Sequence, residues 1–274
     1  MKQDIKLIAI DLDGTLINND KILTDYTRET LLAAIDSGVK VVPATGRAIS
    51  GIPDYLNDIP IEYGIFCNGA SVYNINKMEE LYSDRFTKEE ALTLLSQCEK
   101  LETIISHAAN GSMYSLEEDK SRLAHYNLHP RTQDVVLSTR TFVDDLGEII
   151  QQATKGVDKF VLFFNSQEKK AAAREYFENM GIYHVVSSLY ENLEIGKKSC
   201  NKGHALKFLT SHLDLMPEQV MSFGDASNDY EMIDFAGTGV AMKNGEDHVK
   251  EIANYITLSN DEDGVANAIR KFVL

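Results

Sequence analysis

Two carboxylates, Asp11 and Asp13, follow an apolar run at 5–10 and precede Gly14, where the chain can turn sharply. Strand ends are where α/β folds place their ligand sites, and residues two apart in an extended segment point to the same side. One carboxylate could then attack an electrophile while the other moves a proton. Acidic turns and calcium loops share the Asp-x-Asp pattern, so the pair gains meaning from the rest of the chain. Thr45-Gly46-Arg47 follows a second apolar run at 39–43. A hydroxyl and exposed N–H groups at a helix start can hold phosphate oxygens, although threonine also serves as an ordinary cap. Gly224-Asp225-Ala226-Ser227-Asn228-Asp229 follows a run at 220–223 and sets further carboxylates at a strand end. Such a group could share a hard cation with Asp11 and Asp13, and Mg²⁺ prefers oxygen ligands. The alternative is a plain turn whose helix is capped by Ser227 or Asn228. Lys202-Gly203 precedes an amphipathic stretch at 205–213 and offers a cation for phosphate, although lysine is ordinarily solvated surface.

The elements that must position these residues read as βαβαβ from residue 5 to about 75, with strands at 6–10, 39–43 and 63–67 and helices at 26–37 and 49–56. The runs are rich in Ile and Val without alternation, as suits a parallel sheet covered on both faces. Asn68-Gly69 is a turn signal after the third strand. The same grammar returns near the end, with helices at 205–213, 230–236 and 265–272 and strands at 220–223 and 239–242. Between the two blocks lie a helix at 88–100, strands either side of Asn110-Gly111, and a βαβ-like passage at 160–164, 169–180 and 183–186. The expectation is a doubly wound parallel-sheet α/β core in two parts, residues 1–81 and 190–274, with an α+β domain inserted at 82–189.

The 274 residues can bury a sizeable core without disulfides. Against 27 basic residues stand 42 acidic ones, a balance of −15 that repels nucleic acid and anionic membranes. No segment reaches the roughly 18 apolar residues of a membrane span, and the 5–10 run is too short for a signal peptide. Cys67, Cys98 and Cys200 are scattered and odd in number, which reads as reduced thiols in a cytoplasmic protein. His125 and His129, four apart, read as an exposed polar pair rather than a metal site, and His107 and His204 as structural. Cys98 and the set Phe160, Phe163, Phe164, Tyr176 and Phe177 read as core of the insertion, and Glu117-Glu118-Asp119 as a solvated helix start.

Taken together, the segment Asp11-Leu12-Asp13-Gly14-Thr15-Leu16, Thr45-Gly46-Arg47, Lys202-Gly203 and the segment from Gly224 to Asp229 occur in the order of the haloacid dehalogenase superfamily, which the chain resembles, and within it the Cof-like capped (type IIB) phosphatases. The likeness extends through Asn68-Gly69-Ala70 and through the segment from Met232 to Met242. It implies a Rossmann-like core with a cap closing over the strand ends. It also implies a Mg²⁺-dependent phosphatase in which Asp11 attacks phosphorus and Asp13 acts as acid and base. Metal ligation would fall to Asp11, Asp13 through its carbonyl, Asp225 and Asp229. Phosphate contacts would fall to Leu12, Thr45, Gly46, Arg47, Lys202 and Asn228, with Asn228 steadying Lys202 or a metal-bound water and Arg47 either on the phosphate side or structural. The expected partner is a small phosphorylated metabolite, a sugar phosphate or a phosphorylated cofactor, bound by a monomer or homodimer. A sugar phosphomutase and a regulatory ligand-binding protein on the same fold are the alternatives. The stretch 194–201 lacks the proline-containing loop common before the lysine in relatives, and Lys243 and Asn244 also depart from the family pattern.

Overall fold

The computed structural model describes residues 3–124, 126, 128 and 130–274. His125 and His129 lie outside the described residues. The chain divides into two compact units: Met1–Gly46, Ile52–Ser83 and Asn201–Leu274 form the first, Arg47–Gly51 and Asp84–Cys200 the second.

In the first unit the order is β1 (Leu7–Ile10), α1 (Asp25–Asp36), β2 (Lys40–Pro43), β3 (Tyr63–Phe66), β4 (Ser71–Asn74) and β5 (Glu79–Ser83), resuming with α7 (Lys202–His212), β12 (Val220–Gly224), α8 (Tyr230–Phe235), β13 (Thr238–Ala241), α9 (Asp247–Ile252), β14 (Tyr255–Ile256) and α10 (Gly264–Phe272). A five-stranded parallel sheet runs β14-β13-β12-β1-β2, so β1 is central. Its four side chains are all buried because both faces are covered. Ile8 and Ile10 pack with Leu31 of α1 and with Val265 and Ile269 of α10. Leu7 and Ala9 pack on the other side with Leu206 and Leu209 of α7 and Met232 of α8. This is the doubly wound arrangement expected from the apolar runs.

Two expectations change here. The helix at 49–56 is replaced by short 3₁₀ turns at Ile49–Gly51 and Asp54–Leu56, because Pro53 lacks an N–H and biases Ile52 away from helical geometry. The third strand, β3, pairs antiparallel with β4 and so heads a three-stranded sheet β3-β4-β5. It touches the parallel system through a single bridge between Ala44 and Ile65.

The second unit contains α2 (Lys88–Cys98), β6 (Ile104–Ala109), β7 (Ser112–Leu116), α3 (Asp119–Leu123), α4 (Pro130–Thr139), β8 (Arg140–Val143), α5 (Leu146–Gln152), β9 (Val157–Phe163), α6 (Gln167–Asn179), β10 (Tyr183–Val186) and β11 (Asn192–Lys197). Its six-stranded sheet runs β10-β11-β9-β6-β7-β8. Asn110 and Gly111, both at positive φ, turn β6 into β7. The insertion therefore closes at Cys200, not at residue 189. The stretch 192–197, expected in the core block, is β11, inserted between β10 and β9 and antiparallel to both. Much of the departing stretch 194–201 is thus strand rather than loop.

One face of this sheet is apolar: Ile105, Phe160, Leu162, Leu193 and Ile195 pack with Leu94 and Leu95 of α2, Ile150 of α5 and Phe177 of α6. Cys98 is buried there as expected, whereas Tyr176 is exposed. Asp119 is not a solvated helix start; it is fully buried and accepts a bond from Arg122 Nη1 at 2.7 Å. Burial raises its pKa, opposed by Arg122. His204 is exposed on α7.

His107 is a structural residue with a cost attached. Its ring is fully buried and Nε2 lies 3.2 Å from the Leu146 carbonyl, so the neutral tautomer donates there. Burial pulls its pKa down from 6.5 to about 4, against the weaker pull of that carbonyl. The folded pKa lies below the unfolded one, so the stabilisation is complete above pH 6.5 and is lost as the pH falls toward 4. The loss amounts to about 3 kcal/mol. Urea unfolding at pH 7.5 and pH 4.5 is expected to show this fall in the native protein and a clearly smaller one in His107→Leu; equal falls would refute the assignment.

Candidate active site

The side chains of the site hang from the C-terminal ends of β1 and β12 and the first turn of α7. Asp11 continues β1, its N–H donating to the Phe223 carbonyl at 3.0 Å. The chain then leaves extended geometry: Leu16 N–H donates to the Asp11 carbonyl at 3.2 Å, and Gly14 takes φ +89°. A Cβ on Gly14 would come within 2.5 Å of Asp225 Oδ2, so both conformation and close approach require glycine. Thr15, fully buried, donates from Oγ1 to Asp225 Oδ1 at 2.8 Å.

Behind β12, Asp229 is fully buried and uses both oxygens. Oδ2 accepts the N–H groups of Asp225 and Ala226 at 3.0 and 3.1 Å, and Oδ1 accepts Lys202 Nζ at 2.7 Å. Lys202 also donates to Asp11 Oδ1 at 2.6 Å. It opens α7, whose N-cap Asn201 accepts the His204 N–H at 2.7 Å. Gly69, at φ +98°, admits this turn, since a Cβ there would stand 2.2 Å from the Asn201 carbonyl oxygen. Lys202 is not the solvated surface lysine of the plain reading; it is a fully buried ion-pair centre.

Asp11, Asp225 and Asp229 bring carboxylate oxygens within 4.8 Å of one another. Three carboxylates against one ammonium leave a formal charge of −2. Burial pushes the Asp11 carboxyl well above its ordinary pKa, with Asp229 and Asp225 adding to the effect and Lys202 opposing it. Burial and then Asp229 push Asp225 up to about 7, opposed by the Thr15 hydrogen bond and by Lys202. For Lys202, burial acts downward, but the two carboxylates outweigh it and raise the ammonium's pKa. Among the described residues, Asp11 Oδ2 and Asp225 Oδ2 accept no hydrogen bond. Hard oxygen donors, clustered and short of positive charge, fit a small divalent cation.

The other expected residues divide. The Asp13 carboxylate is not in this group; it is 36% exposed and Oδ1 accepts Lys21 Nζ at 2.8 Å. The expectation that Asp11 and Asp13 project to one side assumed an extended chain, which ends at Ile10. Leu12 buries its side chain and accepts the N–H groups of Leu16 and Ile17, each at 3.1 Å. Thr45 is buried after β2, its N–H donating to the Ile65 carbonyl at 2.9 Å, and a bend at Gly46 and Arg47 follows it rather than a helix start. Gly46 ends that segment of the first unit, and Arg47 belongs to the second. Asn228 does not reach Lys202; its Nδ2 donates to Asn68 Oδ1 at 3.1 Å.

Sequence reading missed Thr15, Asn68 and Asn244. Asn244 Nδ2 donates to the Gly14 carbonyl at 2.8 Å and so pins the turn that carries Asp13. The available signal was position: each is a polar residue two to five positions beyond a strand end.

The haloacid dehalogenase-like hydrolase family matches residues 8–269. The YxeH protein of Bacillus subtilis is 33% identical over 288 residues, covering 98% of each chain. The 5-amino-6-(5-phospho-D-ribitylamino)uracil phosphatase YcsE of the same organism is 30% identical over 289 residues, covering 99% of this chain and 97% of its own. A solved haloacid dehalogenase-like hydrolase from B. subtilis superposes with a TM-score of 0.84 at 29% identity, covering 98% of this chain and 100% of the other. The chain belongs to the haloacid dehalogenase-like hydrolases, in their Cof-like branch. It is an enzyme, a phosphatase of that family. No helix among the described residues is long and apolar enough to cross a membrane.

Lys202→Met tests the ion-pair centre. Removing one partner from a buried charge group leaves the others uncompensated, at a cost of about 3–5 kcal/mol. Urea unfolding in EDTA is expected to show a loss of that size, and an unchanged midpoint would mean that the ammonium does not hold Asp11 and Asp229 together.

Proposed function

We propose that the protein is a Mg²⁺-dependent phosphomonoesterase acting on small phosphorylated metabolites, with Asp11 as the nucleophile. The observation that carries this reading is the convergence of Asp11, Asp225 and Asp229 around a charge deficit at the end of β1. A bound Mg²⁺, held by Asp11, Asp225, the Asp13 carbonyl and Asp229 directly or through water, would offset the repulsion between these carboxylates and an anionic substrate.

A carboxylate oxygen of Asp11 attacks phosphorus, the bond from phosphorus to the ester oxygen breaks, and Asp13 gives that oxygen its proton. Water then attacks the phosphorus of the aspartyl-phosphate and delivers a proton to Asp13, so that inorganic phosphate leaves and both aspartates are restored. The half-exposed position of Asp13 suits proton exchange with solvent before it serves as the acid, and its Oδ1 accepts Lys21 Nζ at 2.8 Å. Lys202 fixes the Asp11 carboxylate at 2.6 Å and holds positive charge beside it. Thr45, with the main-chain N–H groups of Leu12 and Gly46, takes the transferring oxygens, where positioning and charge dominate phosphoryl transfer. Asn228 acts through Asn68 and not through Lys202. Likeness to YcsE supports phosphate esters of sugar-derived metabolites as the substrate class.

Phosphate release from p-nitrophenyl phosphate is expected to require Mg²⁺, to stop with EDTA and to vanish in Asp11→Asn. Thr45→Ala is expected to lose ~10²-fold in kcat. Undiminished turnover in Asp11→Asn would rule out the covalent route, and transfer of phosphate between sugar oxygens without release would indicate a mutase.

A further inference from the structure

The connection from β3 to β4, Cys67 to Ala70, holds a backbone conformation that strand pairing alone does not call for. Cys67 (φ 51°), Asn68 (φ 57°) and Gly69 (φ 98°) lie in succession at positive φ. Hairpin connections of this length are most often built around a type I turn, whose central residues keep φ negative. Glycine adopts the left-handed region freely and asparagine tolerates it, whereas a cysteine there is strained. Such strain persists only where the surroundings over-determine it, and it gathers at functional sites.

The first unit is made of three separate stretches of chain, and this turn, in the second of them, meets both of the others. Toward the first stretch, the Asn68 N–H donates to the Thr45 carbonyl at 3.0 Å, while the Thr45 N–H donates to the Ile65 carbonyl at 2.9 Å. The main chain of Thr45 is thereby gripped on both sides by the end of β3. Toward the third stretch, Asn68 Oδ1 accepts Asn228 Nδ2 at 3.1 Å, both residues being buried. Gly69 lies against the start of α7: a Cβ on it would stand 2.2 Å from the Asn201 carbonyl oxygen and 3.0 Å from the Lys202 nitrogen. The left-handed geometry at residues 67 and 68 sets the directions in which the Asn68 N–H and side chain leave the turn. One residue can then hold Thr45 with its main chain and Asn228 with its amide.

On the reading of the Asp11 cluster as the phosphatase centre, we infer that Asn68 is a positioning residue for phosphoryl transfer. It acts through Asn228, whose carboxamide it orients, and through the Thr45 main chain, so that both groups are set before the substrate arrives. The strained turn is kept because relaxing it would release both bonds together. Preorganised groups speed a reaction by sparing reorganisation at the moment of transfer, and displacing one by about 1 Å can cost ~10²-fold.

Asn68→Gly separates the side chain from the turn, since glycine keeps the positive φ and its N–H still meets the Thr45 carbonyl. With p-nitrophenyl phosphate and Mg²⁺, kcat is expected to fall about tenfold while KM stays within about threefold of the native value and the urea midpoint is unchanged. The double variant Asn68→Gly/Asn228→Ala is expected to match the kcat of Asn228→Ala alone to within about threefold, because the two amides act as one unit. A purely architectural side chain would instead lower the urea midpoint and leave the kcat of the folded enzyme alone. If Asn68→Gly fails to fold, Asn68→Ser, whose hydroxyl falls short of Asn228, supplies the same cycle. Native kcat in Asn68→Gly, an effect confined to KM, or losses that multiply in the double variant would each overturn the role of Asn68. Asp11→Asn, assayed alongside, keeps the two readings apart: turnover in that variant removes the phosphatase centre, whereas an inactive Asp11→Asn beside a fully active Asn68→Gly removes the positioning role alone.

Discussion

A single ammonium group sets the terms for the first unit. Lys202 Nζ is fully buried between Asp11 and Asp229, residues 191 and 27 positions away along the chain. Withdrawing an ammonium from water costs several kcal/mol, recovered only where carboxylates meet it at hydrogen-bond distance. The first turn of α7, the end of β1 and the loop after β12 are therefore tied to one another. Asp229 extends that constraint by holding the Asp225 and Ala226 N–H groups with its other oxygen. What results is a preorganised carboxylate cluster whose geometry is maintained before any ligand arrives.

That cluster is held together while remaining short of positive charge. Lys202 offsets one of three carboxylates, and burial raises the pKa values of Asp11 and Asp225 because neither can ionise cheaply in such company. The protein bears this strain through the sheet beneath it, where Ile8, Ile10 and Phe223 are buried and close-packed.

Much of this was legible in the sequence because it is local. Uniformly apolar runs announced β1, β2 and β12 and the parallel sheet, and Asp-x-Asp-Gly with a second acidic segment announced the strand-end carboxylates. What escaped reading was set by distant parts of the chain. Nothing around Lys202 marks it as buried, since its partners lie elsewhere in sequence. Extended periodicity was carried past Ile10 to Asp13, although Gly14 turns the chain and Asn244, 230 residues away, pins the turn. Strand 192–197 was assigned to the wrong unit because an antiparallel insertion between β10 and β9 leaves no trace in periodicity. Pro53 was the one missed signal that was local, and it was enough to deny a helix at 49–56.

Charge follows a similar division between what composition reveals and what folding arranges. A balance of −15 would seem to disfavour any anionic ligand, yet exposed charges farther apart than about 8 Å are largely screened at physiological ionic strength. Local groups in partly desolvated settings therefore decide what binds. In the first unit that setting is negative and calls for a cation before it can accept phosphate. In the second, Lys159 is buried against Glu194, whose carboxylate also accepts Ser188 and Asn192. Composition averages these two environments into one acidic number, whereas the fold keeps a cluster of carboxylates in one unit and a buried lysine–glutamate pair in the other.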